Sequence, residues 1–418
     1  MKERIYRNFL ISMTVIFVST GIFAGGFLAG SYYYDILPNI FPLSGRVITA
    51  NKIEINQEAG ATPKDLQEDF QPFWESFELL QENFVDQPLD NTTLVQGAIR
   101  GMLKSTGDKN TNYMTPVEQD MMSENMSGEI EGIGAEVDTS GEYLRVIAPL
   151  PGSPAEAAGM LPGDTIIAID GKDVGNIDAF EVIGLVRGPA DTIVNITLKR
   201  EGLLEPLVIE ITRYNFIVPS VESEILSDNI AFVKINRFGD RTEEELRAQL
   251  RTVLSDDIVG IILDLRNNPG GFLDAGIAVT SEFINNQVVM TEKFGDGRER
   301  EYQSRRDGLA TEIPLIVLIN RGSASASEIV ASAVKDYKRG TLIGETTYGK
   351  GTVQTWINLA DNRGSVRITF ARWVGPLGVS IDGQGIEPDI EIQSSPEDYQ
   401  SNIDPQLNAA IELFIENN

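Results

Sequence analysis

Three serines on alternate positions, Ser323, Ser325 and Ser327, stand just before a helical-looking run in "SASASEIVAS". A serine hydroxyl at a helix start suits nucleophilic catalysis, provided a base takes its proton. Among the 418 residues there is no His and no Cys. A Ser-His-Asp triad, a thiolate nucleophile, a disulfide and zinc sites built on His or Cys are therefore excluded. The base must be a carboxylate or a lysine, and the chemistry calls for no metal and no cofactor. Lys350, twenty-five residues beyond Ser325, sits between Gly349 and Gly351, where missing side chains let backbone and substrate approach. An ordinary lysine, with a pKa of ~10.4, is protonated at neutral pH, but burial in a dry site lowers that value by several units. Simpler readings exist for each residue. Ser325 and Glu328 spell S-x-x-E, a helix capping box, and most lysines are surface charges. Residues 344–351, "GETTYGKG", nearly spell a P-loop, but Gly351 stands where a hydroxyl is needed and "TVQTWINL" alternates like a strand.

The elements that must position these groups follow from periodicity. "IPLIVLIN" reads as a buried strand, "SASEIVASAVKDY" as a helix and "TLIGETTYG" as the next strand. Upstream, "IAFVKINRF", "TEEELRAQLRTVL", "VGIILDLRNN", "FLDAGIAVTSEFI" and "QVVMTEKF" continue the alternation. Such a pattern predicts βαβ units and a largely buried parallel sheet. Ligands of open α/β sheets bind beyond the strand C-termini, where the Ser325 turn falls. The free N–H of Ala326 at the helix start is a candidate oxyanion donor. "DPQLNAAIELF" reads as a closing helix.

Residues 129–213 carry short strands and turn signals, and resemble a PDZ domain in "GIGA" (132–135) and in "SPAEAAGMLPGDTIIAIDGKDV" (153–174). The resemblance implies that Gly132, Ile133, Gly134 and Ala135 present backbone N–H groups to the carboxylate of a peptide tail, which adds as a strand.

Nearly the whole chain beyond residue 31 is similar to the C-terminal processing peptidases, or tail-specific proteases. The motifs are "GAIRGML", the PDZ stretch, "ILDLRNNPGG", "GSASASEI", "GETTYGKGTVQ", "GIEPDI" and "DPQL", in order. This likeness implies a Clp protease/crotonase-like α/β core with an inserted PDZ domain. It also selects among the serines: Ser325 as nucleophile, Lys350 as base and Gln354 as the residue that orients the amine. Lys350 and Gln354 are four residues apart, so on a strand they would share a face. A backbone N–H of Gly270 or Gly271 in "NNPGG" is expected as the second oxyanion donor. Arg187 in "VRGP" resembles an arginine that couples tail binding to activity in relatives. The sequence departs from the family at Trp373-Val374-Gly375, which puts side-chain preference near the cleft in question.

Residues 9–31 run for 23 positions without a charge, enough to span the ~30 Å of a bilayer's hydrocarbon. Lys2, Arg4 and Arg7 precede this run and the next basic residue is Arg46, so the N-terminus is expected in the cytoplasm and the rest outside. A cleaved signal peptide is the rival reading. Gly21/Gly25 and Gly26/Gly30 have a spacing that suits a homo-oligomer. The expected divisions are a basic segment 1–8, the anchor 9–31, a linker 32–62, a helical region 63–128, the PDZ domain 129–213, the peptidase core 214–393 and a helical tail 394–418. A net charge of −28 disfavours nucleic acid as a partner. The expected function is a membrane-anchored serine endopeptidase cutting proteins near their C-terminal tails. A silent PDZ scaffold and a crotonase-like acyl-CoA enzyme are the alternatives.

Overall fold

The computed structural model describes residues 66–418 apart from 151, 176, 178, 396, 397, 399, 400, 402 and 418. The expected anchor and linker lie outside the described residues. Among those described, no helix is long and apolar enough to cross a membrane. The chain divides into two compact units, Met1–Leu89 and Asp90–Asn418.

In the first unit the helix Gln71–Asn83 carries Phe73, Trp74 and Phe77, with Pro72 in its first turn, where a missing N–H costs nothing. Phe73 and Trp74 stack edge to face at 4.9 Å. No residue of this helix is buried.

In the second unit, Gly260–Asp264 and Leu315–Ile319 are buried at every position, as strands covered on both faces must be. They form the middle of a six-stranded sheet ordered Val221–Ile225, Ile230–Ile235, Gly260–Asp264, Leu315–Ile319, Thr341–Gly344 and Ile390–Glu391. The first pair is antiparallel and the others are parallel. One core gathers Leu246 and Leu250, Val279 and Phe283, and Val330 and Val334 from three helices, Thr242–Val253, Leu273–Phe283 and Ala326–Asp336. The closing helix Pro405–Asn417 sets Ala410 and Phe414 against Ile230, Ile262, Ile316, Leu318 and Ile343. Each such fully buried aliphatic side chain stabilises the fold by about 1.5–3 kcal/mol.

One strand departs from the βαβ expectation: Val288–Phe294 belongs to a separate five-stranded sheet with Asn112–Met114, Glu299–Gln303, Thr352–Asn358 and Ser365–Val374, all antiparallel. A short turn ending near Gly297 (φ 86°) returns the chain from Val288–Phe294 as a hairpin, and no crossover helix is available to make it parallel.

The PDZ region is an antiparallel sheet ordered Ala135–Asp138, Arg145–Pro149, Thr165–Ile169, Ile193–Lys199 and Leu207–Thr212, with helices Pro154–Ala157 and Ala179–Val186. The stretch around "GIGA" holds two strands: Glu129–Gly132 pairs with Tyr214–Ile217, and Ala135–Asp138 pairs with Arg145–Pro149. Gly134 breaks them, at φ 73° and packed so closely that a Cβ there would fall 2.6 Å from Phe216 and Ser153.

Candidate active site

The serine turn joins the C-terminal end of Leu315–Ile319 to the helix Ala326–Asp336. Its three hydroxyls differ. Ser323 Oγ is buried, donates to the Leu265 carbonyl at 2.7 Å and accepts the Asn320 N–H. Ser327 Oγ is buried and donates to the Asn268 carbonyl at 2.9 Å. Ser325 is half-buried, and its hydroxyl makes no cap bond. An N-cap serine adopts extended backbone, whereas Ser325 stands at φ 56°, ψ −114°. Holding a non-glycine residue there costs on the order of 1–3 kcal/mol. The Ser325–Glu328 pair keeps the outline of a capping box, but only the glutamate's bond has hydrogen-bond geometry. Ser325 N–H donates to Glu328 Oε2 at 2.8 Å, while Glu328 N–H goes to the Ser325 main-chain carbonyl at 2.9 Å.

Glu328 does more than cap. Its carboxylate, 0% exposed, also receives the Lys350 N–H at 2.9 Å on Oε2, and the Gly349 N–H and Thr347 hydroxyl, each at 2.6 Å, on Oε1. One oxygen therefore holds the main-chain nitrogens of both Ser325 and Lys350. Spacing twenty-five residues apart could not reveal this.

Lys350 is half-buried and its amine is held below the ordinary lysine range. Burial is the largest cause and the Arg367 charge the second, while Glu328 and Asp108 act in the opposite direction. The strand begins at Thr352, beyond the lysine, so the shared-face argument applies to Thr352 and Gln354 rather than to Lys350. Gln354 Nε2 donates to the hydroxyls of Thr352 at 2.8 Å and Thr369 at 3.1 Å.

The "NNPGG" turn lies against the serine. A Cβ on Gly270 (φ 95°) would fall 2.6 Å from Ser325 Cβ and 2.8 Å from Ala326 N, so only glycine fits. The Gly270 N–H is already given to Asn268 Oδ1 at 2.9 Å. No described residue accepts the N–H of Gly271 or of Ala326. The preceding Arg266 is fixed by Asp264 at 2.7 Å and by Asp404 of the "DPQL" segment at 2.8 Å, which ties the chain's end to the base of this turn.

Residues 229–392 match the model of peptidase family S41, residues 145–200 that of the PDZ domain and residues 33–117 that of the activating protease CtpB N-terminal domain. The chain is 38% identical to the carboxy-terminal-processing protease of Bartonella bacilliformis over 367 residues, 86% of this chain and 82% of the relative. The chain belongs to the carboxy-terminal-processing proteases. It is also 33% identical to the carboxy-terminal processing protease CtpA of Bacillus subtilis over 347 residues, 83% of this chain and 73% of that one. A solved photosystem II D1 C-terminal processing protease is 30% identical, with 76% of this chain and 86% of that chain covered and a TM-score of 0.48.

As a carboxy-terminal-processing protease the chain is a serine protease, and its remaining sequence-predicted residues fall in two places. Gly132 and Ile133 are buried, and the Ile133 and Gly134 carbonyls brace the loop by accepting the Ala155 and Leu150 N–H groups, each at 2.9 Å. No described residue accepts the N–H of Ile133 or Gly134. The following strand, Ala135–Asp138, is an edge of its sheet. Arg187 stands over the same loop, its Cγ 3.7 Å from where a Gly132 Cβ would be, and pairs with Glu124 of the helix Pro116–Ser127. Trp373, flagged as a departure near the cleft, is 2% exposed and donates its indole N–H to the Lys350 carbonyl at 2.9 Å. It packs in the core and holds the lysine's main chain, so it does not set cleft preference.

Proposed function

We propose that this carboxy-terminal-processing protease hydrolyses peptide bonds through Ser325 as nucleophile and Lys350 as base, with Gln354 orienting the lysine side of the site. The observation that carries the reading is the single Glu328 oxygen bonded to the main chain of both residues, beside a serine whose hydroxyl is left out of capping. In the forward step the uncharged Lys350 amine takes the Ser325 proton as Oγ bonds to the substrate carbonyl carbon. The carbonyl oxygen takes the negative charge, which the N–H groups of Gly271 and Ala326 would stabilise. The lysine then returns the proton to the leaving amine as the C–N bond breaks, and water hydrolyses the acyl-enzyme by the same route. Gly270 would join only by releasing Asn268. The direct test is a fluorophosphonate probe and a peptide with a free apolar tail. Wild type is expected to be labelled at Ser325 and to cleave the peptide. Ser325→Ala is expected to do neither while keeping its circular dichroism spectrum, and normal turnover by that variant would defeat the assignment.

The PDZ loop would receive the tail carboxylate on the free N–H groups of Ile133 and Gly134, and the tail would extend along the edge strand Ala135–Asp138. Arg187 is placed to share in that charge and, through Glu124, to report it to the core. Burial raises the Glu124 pKa, and Arg187 counters the effect. We expect Arg187→Ala to raise KM for the free-acid peptide by roughly tenfold, as loss of a partly buried charge contact does. Its KM for the amidated peptide should be unchanged, and equal effects on both would rule this role out. The uncharged run 9–31 supports anchoring at a membrane with the catalytic part outside the cytoplasm, and extraction of the full chain only by detergent, not by salt or alkali, would test it.

A further inference from the structure

The direction of the Gly271 N–H is set from outside the turn that carries it. Gly270 and Gly271 stand at φ 95° and 149°, and neither has a side chain to hold the peptide between them. Phe238 holds it instead. Its N–H donates to the Gly270 carbonyl at 3.0 Å and its carbonyl accepts the Phe272 N–H at 2.7 Å, a parallel bridge opposite Gly271. In a trans peptide the C=O and the following N–H point in opposite directions. A grip on the Gly270 carbonyl from one side therefore aims the Gly271 N–H to the other, and no described residue accepts that N–H. The contact is close: a Cβ on Gly271 would fall 2.1 Å from the Phe238 carbonyl oxygen.

Phe238 is itself held from behind. The two peptides that flank it turn their remaining polar atoms, the Arg237 carbonyl and the Gly239 N–H, toward the Thr242 hydroxyl. Oγ1 accepts the Gly239 N–H at 2.9 Å, and its single proton lies between the Arg237 carbonyl at 3.1 Å and Ser220 Oγ at 2.9 Å. Phe238 and Thr242 are both 0% exposed. The cap position of the helix Thr242–Val253 is Arg241, so this hydroxyl is spent on the corner before the helix and not on the helix start. The far side of the corner is tied to both chain segments that join the PDZ region to the core. Asp240 N–H donates to the Met126 carbonyl at 3.0 Å, the Arg237 guanidinium donates to the Val218 carbonyl, and Val218 N–H donates to the Gly128 carbonyl at 2.9 Å. Ser220 is fixed by Glu245 Oε2, which accepts its hydroxyl at 2.7 Å and its N–H at 2.6 Å.

We propose that Thr242 is a positioning residue of the peptidase reaction. Through Phe238 its hydroxyl fixes the Gly270–Gly271 peptide, so that the Gly271 N–H meets the negative oxygen of the tetrahedral intermediate. This rests on the Ser325–Lys350 reading. A threonine that only filled the core would, on loss, lower the folded fraction and leave each folded molecule as active as before. A residue that aims an oxyanion donor acts where charge develops, so its loss falls on kcat and on inhibitors that carry the same charge.

The experiment uses the full chain, a free-acid tail peptide and a peptide aldehyde inhibitor, with rates taken per serine labelled exhaustively by a fluorophosphonate. Ser325 Oγ adds to the aldehyde carbon, the serine proton passes to Lys350, and the former carbonyl oxygen carries the charge. Thr242→Val keeps the shape and loses the hydroxyl. Its kcat per labelled serine falls on the order of tenfold, part of the ~10²- to 10³-fold that loss of a whole oxyanion donor costs. The aldehyde weakens by the same factor, and KM stays within about threefold. The acidic limb of the pH profile does not move, because the base is untouched. Thr242→Ser, which keeps the hydroxyl, stays within about threefold of wild type in both readouts. Unchanged kcat and inhibition in Thr242→Val overturn the proposal, as do a fall in kcat with the aldehyde unaffected and a Thr242→Ser variant as impaired as Thr242→Val. If Thr242→Val fails to fold, Thr242→Cys decides, since a thiol is a weak donor and a weak acceptor. Wild-type kcat or aldehyde affinity in that variant overturns the proposal. Ser325→Ala separates the two ideas. If it still cleaves, or binds the aldehyde as tightly as wild type, the Ser325–Lys350 reading falls; if it does neither and Thr242→Val matches wild type, only the role of Thr242 falls.

Discussion

Replacing Lys350 by methionine is expected to lower kcat/KM by ~10⁴-fold while leaving the folded chain as stable as wild type or more so. The rate effect follows from removing the base. The Ser325 hydroxyl has no histidine anywhere in the chain to turn to, and Glu328 spends both carboxylate oxygens on other donors. The stability effect follows from the burial that lowers the amine's proton affinity. In the unfolded chain the lysine regains its ordinary value near ~10.4. Between the lowered value and ~10.4 the unfolded state binds more protons than the folded state, so wild-type stability rises with pH through that window and is depressed below it. Methionine has similar length and no charge to desolvate, so the variant loses this dependence. Denaturant titration of both proteins at neutral and alkaline pH checks it. A variant less stable at neutral pH than wild type would show that the amine is not held at a cost. Activity in wild type should fall as pH drops through the lowered lysine value, the side on which the base becomes protonated.

The parts of the site that the sequence makes legible are those with local signatures. Missing histidine and cysteine narrow the base to a carboxylate or a lysine before any fold is known, and the likeness to the family selects Lys350. The helices Thr242–Val253, Leu273–Phe283 and Ala326–Asp336 lie within the runs expected for them, because their apolar faces have the helical period. The one strand assigned to the wrong sheet, Val288–Phe294, fails for a physical reason. Partly buried antiparallel strands and parallel strands share composition, and only the connection between neighbours tells them apart.

What the sequence hides is nonlocal. Nothing near "DKNT" (108–111) announces that Asn110 will donate to the hydroxyl of Thr352, 242 residues on, or that Thr111 will accept the Thr369 N–H. Trp373 reads only as a departure near the cleft, yet it is buried and its indole N–H donates to the Lys350 carbonyl. Glu328 was visible as a capping residue, and its motif carries that meaning correctly. Its second meaning depends on the Thr347–Lys350 turn arriving from another strand. Only in the folded chain do four donors converge on one side chain.

That convergence makes Glu328→Gln the sharper of the two tests, because the change is nearly isosteric. A carboxylate accepts on both oxygens, whereas an amide must turn an NH₂ toward one pair of donors. Toward Thr347 and Gly349 it meets the Gly349 N–H; toward Ser325 and Lys350 it meets two main-chain N–H groups. Neither orientation avoids a buried donor facing a donor, and each such loss costs about 1–3 kcal/mol. The expected stability loss is therefore about 2–4 kcal/mol, read by denaturant titration. The catalytic loss should exceed what unfolding explains, since Ser325 holds a strained backbone that its bond to Glu328 helps to fix. At a temperature where the variant is fully folded, kcat is expected to fall by roughly 10²- to 10³-fold with KM changed less than about threefold. Fluorophosphonate labelling of Ser325 should slow in parallel. A folded Glu328→Gln protein with wild-type kcat would show that the carboxylate only caps a helix, and would remove the link between the serine turn and the lysine turn on which the active-site reading depends.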